Sequence, residues 1–309
     1  VYSNISVVVA VGDRYQGLTD EQWELLELLL PKSQGRVGRN FANSRRVIEG
    51  MLFRLRTGIP WRDLPEIFGP WQTVWKRHRR YAGDGTWDKV LTALLTLADA
   101  TGNFDWVISI DATIVRVHQH GASLARHTGA PSNYKNLHDE PADHAIGRSR
   151  GGLTTKAHLV TDGNGRGLAV LITPGQAADS PMLPNVLDGV AVPRLDSGAP
   201  RTTPDQLIGD KAYSARSNRK LLRRRRIKAV IPERADQIAN RKRKGRAGGR
   251  APDFDTETYR RRNVVERAFN KAKRWRAIAT RYDKLALTYR AGLVLALIVE
   301  WLKLLGDAT

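Results

Sequence analysis

The 309-residue chain is long enough for a sizeable core and two domains, and at 41% hydrophobic residues it composes like a globular protein rather than a disordered one. It has no cysteine, which excludes disulfides, cysteine-ligated zinc and a thiol nucleophile. Net charge is +20 and concentrated: residues 211–281 hold 25 Lys and Arg against 6 Asp and Glu, a field that attracts phosphate backbones through counterion release.

In chain order, the opening "VYSNISVVVAVGDRY" has an apolar run too short for a membrane helix and no basic leader, so a cytoplasmic protein with no membrane partner is expected. "LTDEQWELLELLLP" predicts a helix with Thr19 as N-cap and Gln22 completing a capping box. Leu18 and Trp23 take the hydrophobic-staple positions and Pro31 ends the run. Residues 43–81 predict three helices broken at 58–60 and 69–70, compatible with a helix-turn-helix arrangement. The last of them, 71–81, carries Lys76, Arg77, Arg79 and Arg80, either a solvated basic face or a DNA contact. A further helix is predicted over 86–100.

"DWVISIDATIVRVHQH" alternates β-branched residues without a helix period and predicts a strand over 105–120. "GLTTKAHLVTDGNGRGLAVLITPG" predicts a hairpin turning at 162–165, and a short helix follows near 181–188. "PDQLIGDKAYSARSNRKLLRRRRIKAVIPE" is strand, helix, strand, which adds a parallel element to the sheet. The Gly-rich basic stretch "RKRKGRAGGRAP" is too poor in apolar residues to pack and is expected to be a mobile solvated loop. A basic helix over 259–276 and an apolar helix over 289–305 close the chain. The order of elements is that of an α/β, ribonuclease H-like mixed sheet flanked by helices, preceded by an all-α helix-turn-helix-like region. The expected domains are 1–104, helical and DNA-binding; 105–285, catalytic; and 286–309, a C-terminal helix.

Three acids carry the candidate chemistry. Asp111 lies inside the first strand, where burial is costly unless the carboxylate faces a cleft or ligand. Asp210 ends the strand "QLIGD", ahead of Lys211 and Tyr213, at the strand end where sheets of this kind gather ligands. It could equally cap the helix that follows. Glu266 is the lone acid among eight Lys and Arg in "YRRRNVVERAFNKAKRWR". On one continuous helix, at about 100° per residue, positions 259, 262, 266 and 273 fall within roughly 60° of each other, opposite the apolar Val264, Val265, Ala268, Ala272 and Trp275. An exposed, ion-paired Glu would satisfy the same pattern.

Tyr259, Arg262, Glu266 and Lys273 reproduce Y-x2-R-x3-E-x6-K, a motif of insertion-sequence transposases of the four and five families. "ISIDATIVRVHQH", "AIGRSRGGLTTKAHLVTD", "GDKAYSARSNRKLLRRRRIKAVIP" and "TRYDKLALTYRA" also resemble the five family, so the likeness runs from about residue 18 to the C-terminus. The stretch "GASLARHTGAPSNYKNLHDEPADH" departs from it by its length. The resemblance implies that Asp111, Asp210 and Glu266 form a DDE triad holding two Mg²⁺ or Mn²⁺ ions. Tyr259, Arg262, Lys273, Lys211 and Tyr213 would then grip DNA, with Lys76, Arg77 and Arg80 contacting it from the helical region. It further implies a bacterial, nucleoid-associated enzyme that binds terminal inverted repeats as a homodimer on paired ends, cleaves DNA and joins 3′-hydroxyl ends to target DNA.

Two rivals stand beside this reading. His118 and His120, with His127, His138, His144 and His158, suggest a zinc or nickel hydrolase. Strand alternation, however, puts His118 and His120 on the face opposite Asp111. A DNA-binding regulator without catalysis would use the N-terminal helices alone and leaves the three acids unexplained.

Overall fold

The computed structural model describes residues 17–32, 41, 43–124, 128, 137–195 and 198–306. The opening apolar run and most of the long stretch 125–136 lie outside them. In the helical region, α1 (Asp20–Leu29) begins on the expected capping box: the Gln22 amide donates to Thr19 Oγ1 at 3.2 Å and the Thr19 amide to Gln22 Oε1 at 3.3 Å. Leu18 and Trp23 are both buried. Helix α2 (Ser44–Thr57) stops at Gly58, whose φ of 73° is the left-handed C-cap that glycine accepts without strain. The middle helix expected between 58 and 70 is instead two 3-10 turns, Trp61–Asp63 and Glu66–Phe68, because Pro60, Pro65 and Pro70 leave no room for a longer run. Helices α3 (Trp71–Gly83) and α4 (Thr86–Ala100) follow.

The sheet is built from β1 (Val107–Val117), β2 (Gly147–Ser149), β3 (Gly152–Thr161), β4 (Gly167–Pro174), β5 (Gln206–Gly209), β6 (Lys228–Val230) and β7 (Thr280–Arg281). Setting aside the short β2 and β7, the order is β4-β3-β1-β5-β6. Strand β3 runs antiparallel to β1 and β4, while β5 runs parallel to β1 and β6 parallel to β5. That is the ribonuclease H-like order expected from the chain. Between these strands come α5 (Leu183–Asp188), α6 (Arg216–Arg224) and α7 (Ala235–Arg243). After β6 and α7 the chain forms α8 (Thr256–Arg260), α9 (Asn263–Lys273), α10 (Arg276–Ala279) and α11 (Ala286–Gly306).

One hydrophobic core joins the helical region to the sheet. It contains Ile48 and Leu94 from the N-terminal helices, Ile108, Ile110 and Leu159 from the sheet, and Ile298 and Trp301 from α11. Helix α11 packs on α1, α3, α4 and β4, so its apolar residues are core. Each fully buried Leu, Ile or Val there contributes roughly 1.5–3 kcal/mol. Trp301 also ties the helix to the sheet through a 2.8 Å hydrogen bond to the Gly167 carbonyl. Among the described residues no helix is long and apolar enough to cross a membrane.

Candidate active site

Strands β1 and β5 bring the two aspartates together. Their parallel register pairs Ile110 with Gly209, so Asp111 and Asp210 are the next residues on adjacent strands. The buried Ile108 and Ile110 anchor β1, and Asp111 is placed where the strand emerges from the core. Asp111 Oδ1 accepts the Ala112 amide at 2.8 Å and Oδ2 accepts from Arg262 Nη1 at 3.1 Å. Asp210 caps the turn Lys211–Tyr213, its Oδ1 accepting the Ala212 amide at 2.8 Å. The capping alternative is therefore real, and it occupies one of the two carboxylate oxygens.

The third acid reaches this pair through Arg262. The expected continuous helix over 259–276 is broken at residues 261–262, so Tyr259 sits on α8 and Glu266 in the first turn of α9. The single-helix alignment of Tyr259 with Glu266 is thereby corrected: two consecutive arginines at the break are each drawn to a different acid. Arg261 pairs with Asp105, while Arg262 pairs with both Asp111 and Glu266. The apolar side of α9 is buried as expected, through Val264, Val265, Ala268 and Ala272, with Phe269 added and Trp275 just beyond it. Lys273, on the same helix, donates from Nζ to Thr113 Oγ1 at 2.6 Å, two residues along β1 from Asp111 and on the same strand face.

Electrostatics mark the cluster. Burial pushes the Asp111 carboxyl above its ordinary value, and nearby Asp210 and Glu266 push it further; the Ala112 amide and Arg262 hold against them. Arg262 loses solvation on burial, but Asp111 and Glu266 more than offset that and its guanidinium is held more firmly charged. Burial lowers the Lys273 ammonium. Among the described residues no three acids or histidines are grouped closely enough to enclose a metal ion as they stand. The guanidinium of Arg262 is bonded to the carboxylates of Asp111 and Glu266, which a cation would also seek. The donor set itself, all carboxylate oxygen with mutual repulsion to relieve, fits Mg²⁺ or Mn²⁺ provided Arg262 turns aside.

The remaining sequence candidates divide by exposure. Lys211, Lys76 and Arg80 are exposed and Tyr259 half-buried, and Tyr259 leans on Phe254 with ring centroids 5.1 Å apart. Tyr213 and Arg77 need correction as DNA contacts, because both side chains are buried. Tyr213 lies under the turn it belongs to, with its hydroxyl unpartnered and burial raising its phenol. Arg77 is covered by the Phe41 ring 3.7 Å from its guanidinium carbon and bonds the Tyr81 hydroxyl at 3.4 Å. Two participants had no sequence signal of their own: Thr113, legible only as the residue two after Asp111, and Asp105, which fixes Arg261. The histidines scatter. His118 and His120 stack by Tyr282 beyond β1, His144 bonds Glu140, and His158 bonds Thr173 inside the sheet; His127 lies outside the described residues.

Comparison with known proteins follows the same lines. The family described as the transposase DDE domain matches residues 102–301, and a family of proposed IS4/5 transposases matches residues 18–91. The chain is 38% identical over 114 residues to the uncharacterized protein y4sN of Sinorhizobium fredii, covering 37% of this chain and 86% of that one. It is 34% identical over 116 residues to an uncharacterized 16.2 kDa protein of insertion element IS402 from Burkholderia cepacia, covering 35% and 79%. A proposed transposase of insertion sequence IS6501 from Brucella ovis is 30% identical over 151 residues, covering 49% of this chain and all of that protein. Among solved structures, a Mos1 transposase paired-end complex with the left transposon end aligns over 78% of this chain and 80% of that one at 12% identity. Its TM-score is 0.23.

Proposed function

The chain belongs to the DDE transposases of the IS4/5 group, and on that premise we propose that it binds the terminal inverted repeats of its own insertion sequence, cuts DNA there and joins the 3′-hydroxyl ends to target DNA. The observation that carries this reading is that Asp111 within β1 and Asp210 just after β5 lie side by side in register, with Arg262 tying Asp111 to Glu266 in the first turn of α9. These three carboxylates would hold two Mg²⁺ or Mn²⁺ ions. Such ions supply an activated water or 3′-hydroxyl and a stabilised leaving oxygen for in-line displacement at phosphorus. The chain's own residues do the positioning. Lys273 is braced on Thr113 beside the carboxylates, and Lys211 stands exposed one residue beyond Asp210. Together with Tyr259 and Arg262 they would hold the phosphates that flank the scissile bond.

The N-terminal helices, through exposed cations such as Arg80, would recognise the ends, and two chains on paired ends would bring two such sites together. Incubating the protein with the DNA that flanks its own reading frame, with and without Mg²⁺, tests the proposal. Breaks at the element's ends that require the metal are expected. Sequence-specific binding without any break would instead make the chain a DNA-binding regulator.

A further inference from the structure

We propose that residues 235–250 form a second DNA-binding surface, an arm beside the active site that grips the phosphodiester backbone of duplex DNA without reading its sequence. The inference rests on the transposase reading, and it concerns a segment to which neither the triad nor the DNA-gripping residues above belong. Helix α7 buries none of its nine residues, and no residue of 235–250 is buried. A helix this short is marginal in water without a face to pack on. Yet the segment is tightly specified. A 3-10 turn, Gly245–Gly248, folds back on α7. A Cβ at Gly248 would stand 2.2 Å from the Arg241 carbonyl oxygen, and Gly245 and Gly249 take φ of 52° and 72°. Three glycines therefore fix a shape that buries nothing of its own: the stretch expected as a mobile solvated loop is solvated, but it is the end of α7 and a 3-10 turn.

What this shape presents is positive charge. Lys242, Arg243, Lys244, Arg246 and Arg250 are exposed, and none has an ion-pair partner among the described residues. Arg241 is spent on Glu233, which roots the arm near β6. The arm's other root lies at the active site: Gln237 donates to the Ser214 carbonyl at 3.2 Å, immediately after the Lys211–Tyr213 turn capped by Asp210. The segment that carries these five cations is thus tied to the Asp210 turn, and of the five Arg243 also bonds the Asn240 side chain at 2.8 Å. Phosphodiester is the ligand that matches five cations on a segment whose one carboxylate, Asp236, is paired with Arg234 and whose one large apolar side chain is the half-buried Ile238. The lack of an apolar face disfavours a lipid surface.

The test uses the full chain and a duplex that lacks the terminal repeats, with binding measured from low to moderate salt. Replacing Lys242, Arg243, Lys244, Arg246 and Arg250 by Gln should weaken binding at least about tenfold near physiological salt. It should also flatten the slope of log affinity against log salt by about 2 to 4, since each phosphate contact contributes about 0.9. Thermal stability should be unchanged, because the arm adds nothing to the core. Gly248→Ala retains every charge but obstructs the fold-back and should weaken the same binding severalfold. An unchanged slope in the five-Gln variant overturns the arm. Loss in that variant with full affinity in Gly248→Ala overturns the claim of a built surface. Stronger binding of the unaltered chain to anionic phospholipid vesicles than to the duplex overturns the assignment to DNA. Failure of the proposed function is read separately, from Mg²⁺-dependent cutting of element ends by the unaltered chain.

Discussion

Asp111 shows how a single residue records the tension between stability and chemistry. Its carboxyl is raised in the fold by burial and by two neighbouring acids, so its charged form costs the folded state stability. That cost is absent below the ordinary carboxylate value and fully present once pH has passed the raised folded value. Asp111→Asn should therefore melt at a higher temperature than the unaltered chain at pH 7, and the difference should shrink on acidification through the carboxylate range. Adding Mg²⁺ should reverse the order, because a cation held by the carboxylates stabilises only the chain that binds it. Melting curves with and without Mg²⁺ at pH 4 and 7 check both halves. A variant less stable at pH 7 without metal would mean that Arg262 more than compensates the burial of Asp111.

At the scale of elements, the ties between the N-terminal helices and the end of the chain are polar as well as apolar. Arg54 on α2 donates to Asp283 at 2.9 Å, with both side chains buried and Trp61 stacked over the guanidinium. Arg290 on α11 clasps Asp88 on α4 through two bonds of 2.9 and 2.7 Å. Arg54→Met should destabilise the chain by about 3–5 kcal/mol, because it strands a buried carboxylate. Adding Asp283→Asn should recover part of that loss, as denaturant titrations would show. A loss under about 1 kcal/mol would mean that Asp283 finds another partner.

Most of these elements were legible because their causes are local. The Thr19 capping box, the turn at 162–165 and the strand around Asp111 are written in a few consecutive residues. The break between α8 and α9 was not, because Arg261 and Arg262 turn towards Asp105 and Asp111, more than 150 positions away in the chain. Burial of Arg77 and Tyr213 is not legible in the sequence for a similar reason. Their side-chain types suggest a DNA surface, and only packing by Phe41 and by the sheet contradicts it. The two strand acids could be picked out by position, while Thr113 needed the partner that Lys273 supplies from another element.

At the scale of the whole molecule, a shared core means that the N-terminal helices, proposed above to bind the element's ends, and the carboxylate cluster hold a fixed relation. Cutting position should then be set by where the helices bind. The most direct measurement of the central claim maps the DNA ends produced from the element's own terminal DNA in Mg²⁺ by the unaltered chain and by Asp111→Asn, Asp210→Asn, Glu266→Gln and Glu257→Gln. Glu257 serves as the control because it pairs with Arg260, an exposed neighbour on α8 away from the carboxylates. The account predicts 3′-hydroxyl ends at the element boundary from the unaltered chain and from Glu257→Gln, none from the three triad variants, and end-DNA binding retained in all five. Normal cutting by Glu266→Gln or Asp210→Asn, or cutting without any divalent metal, would contradict it.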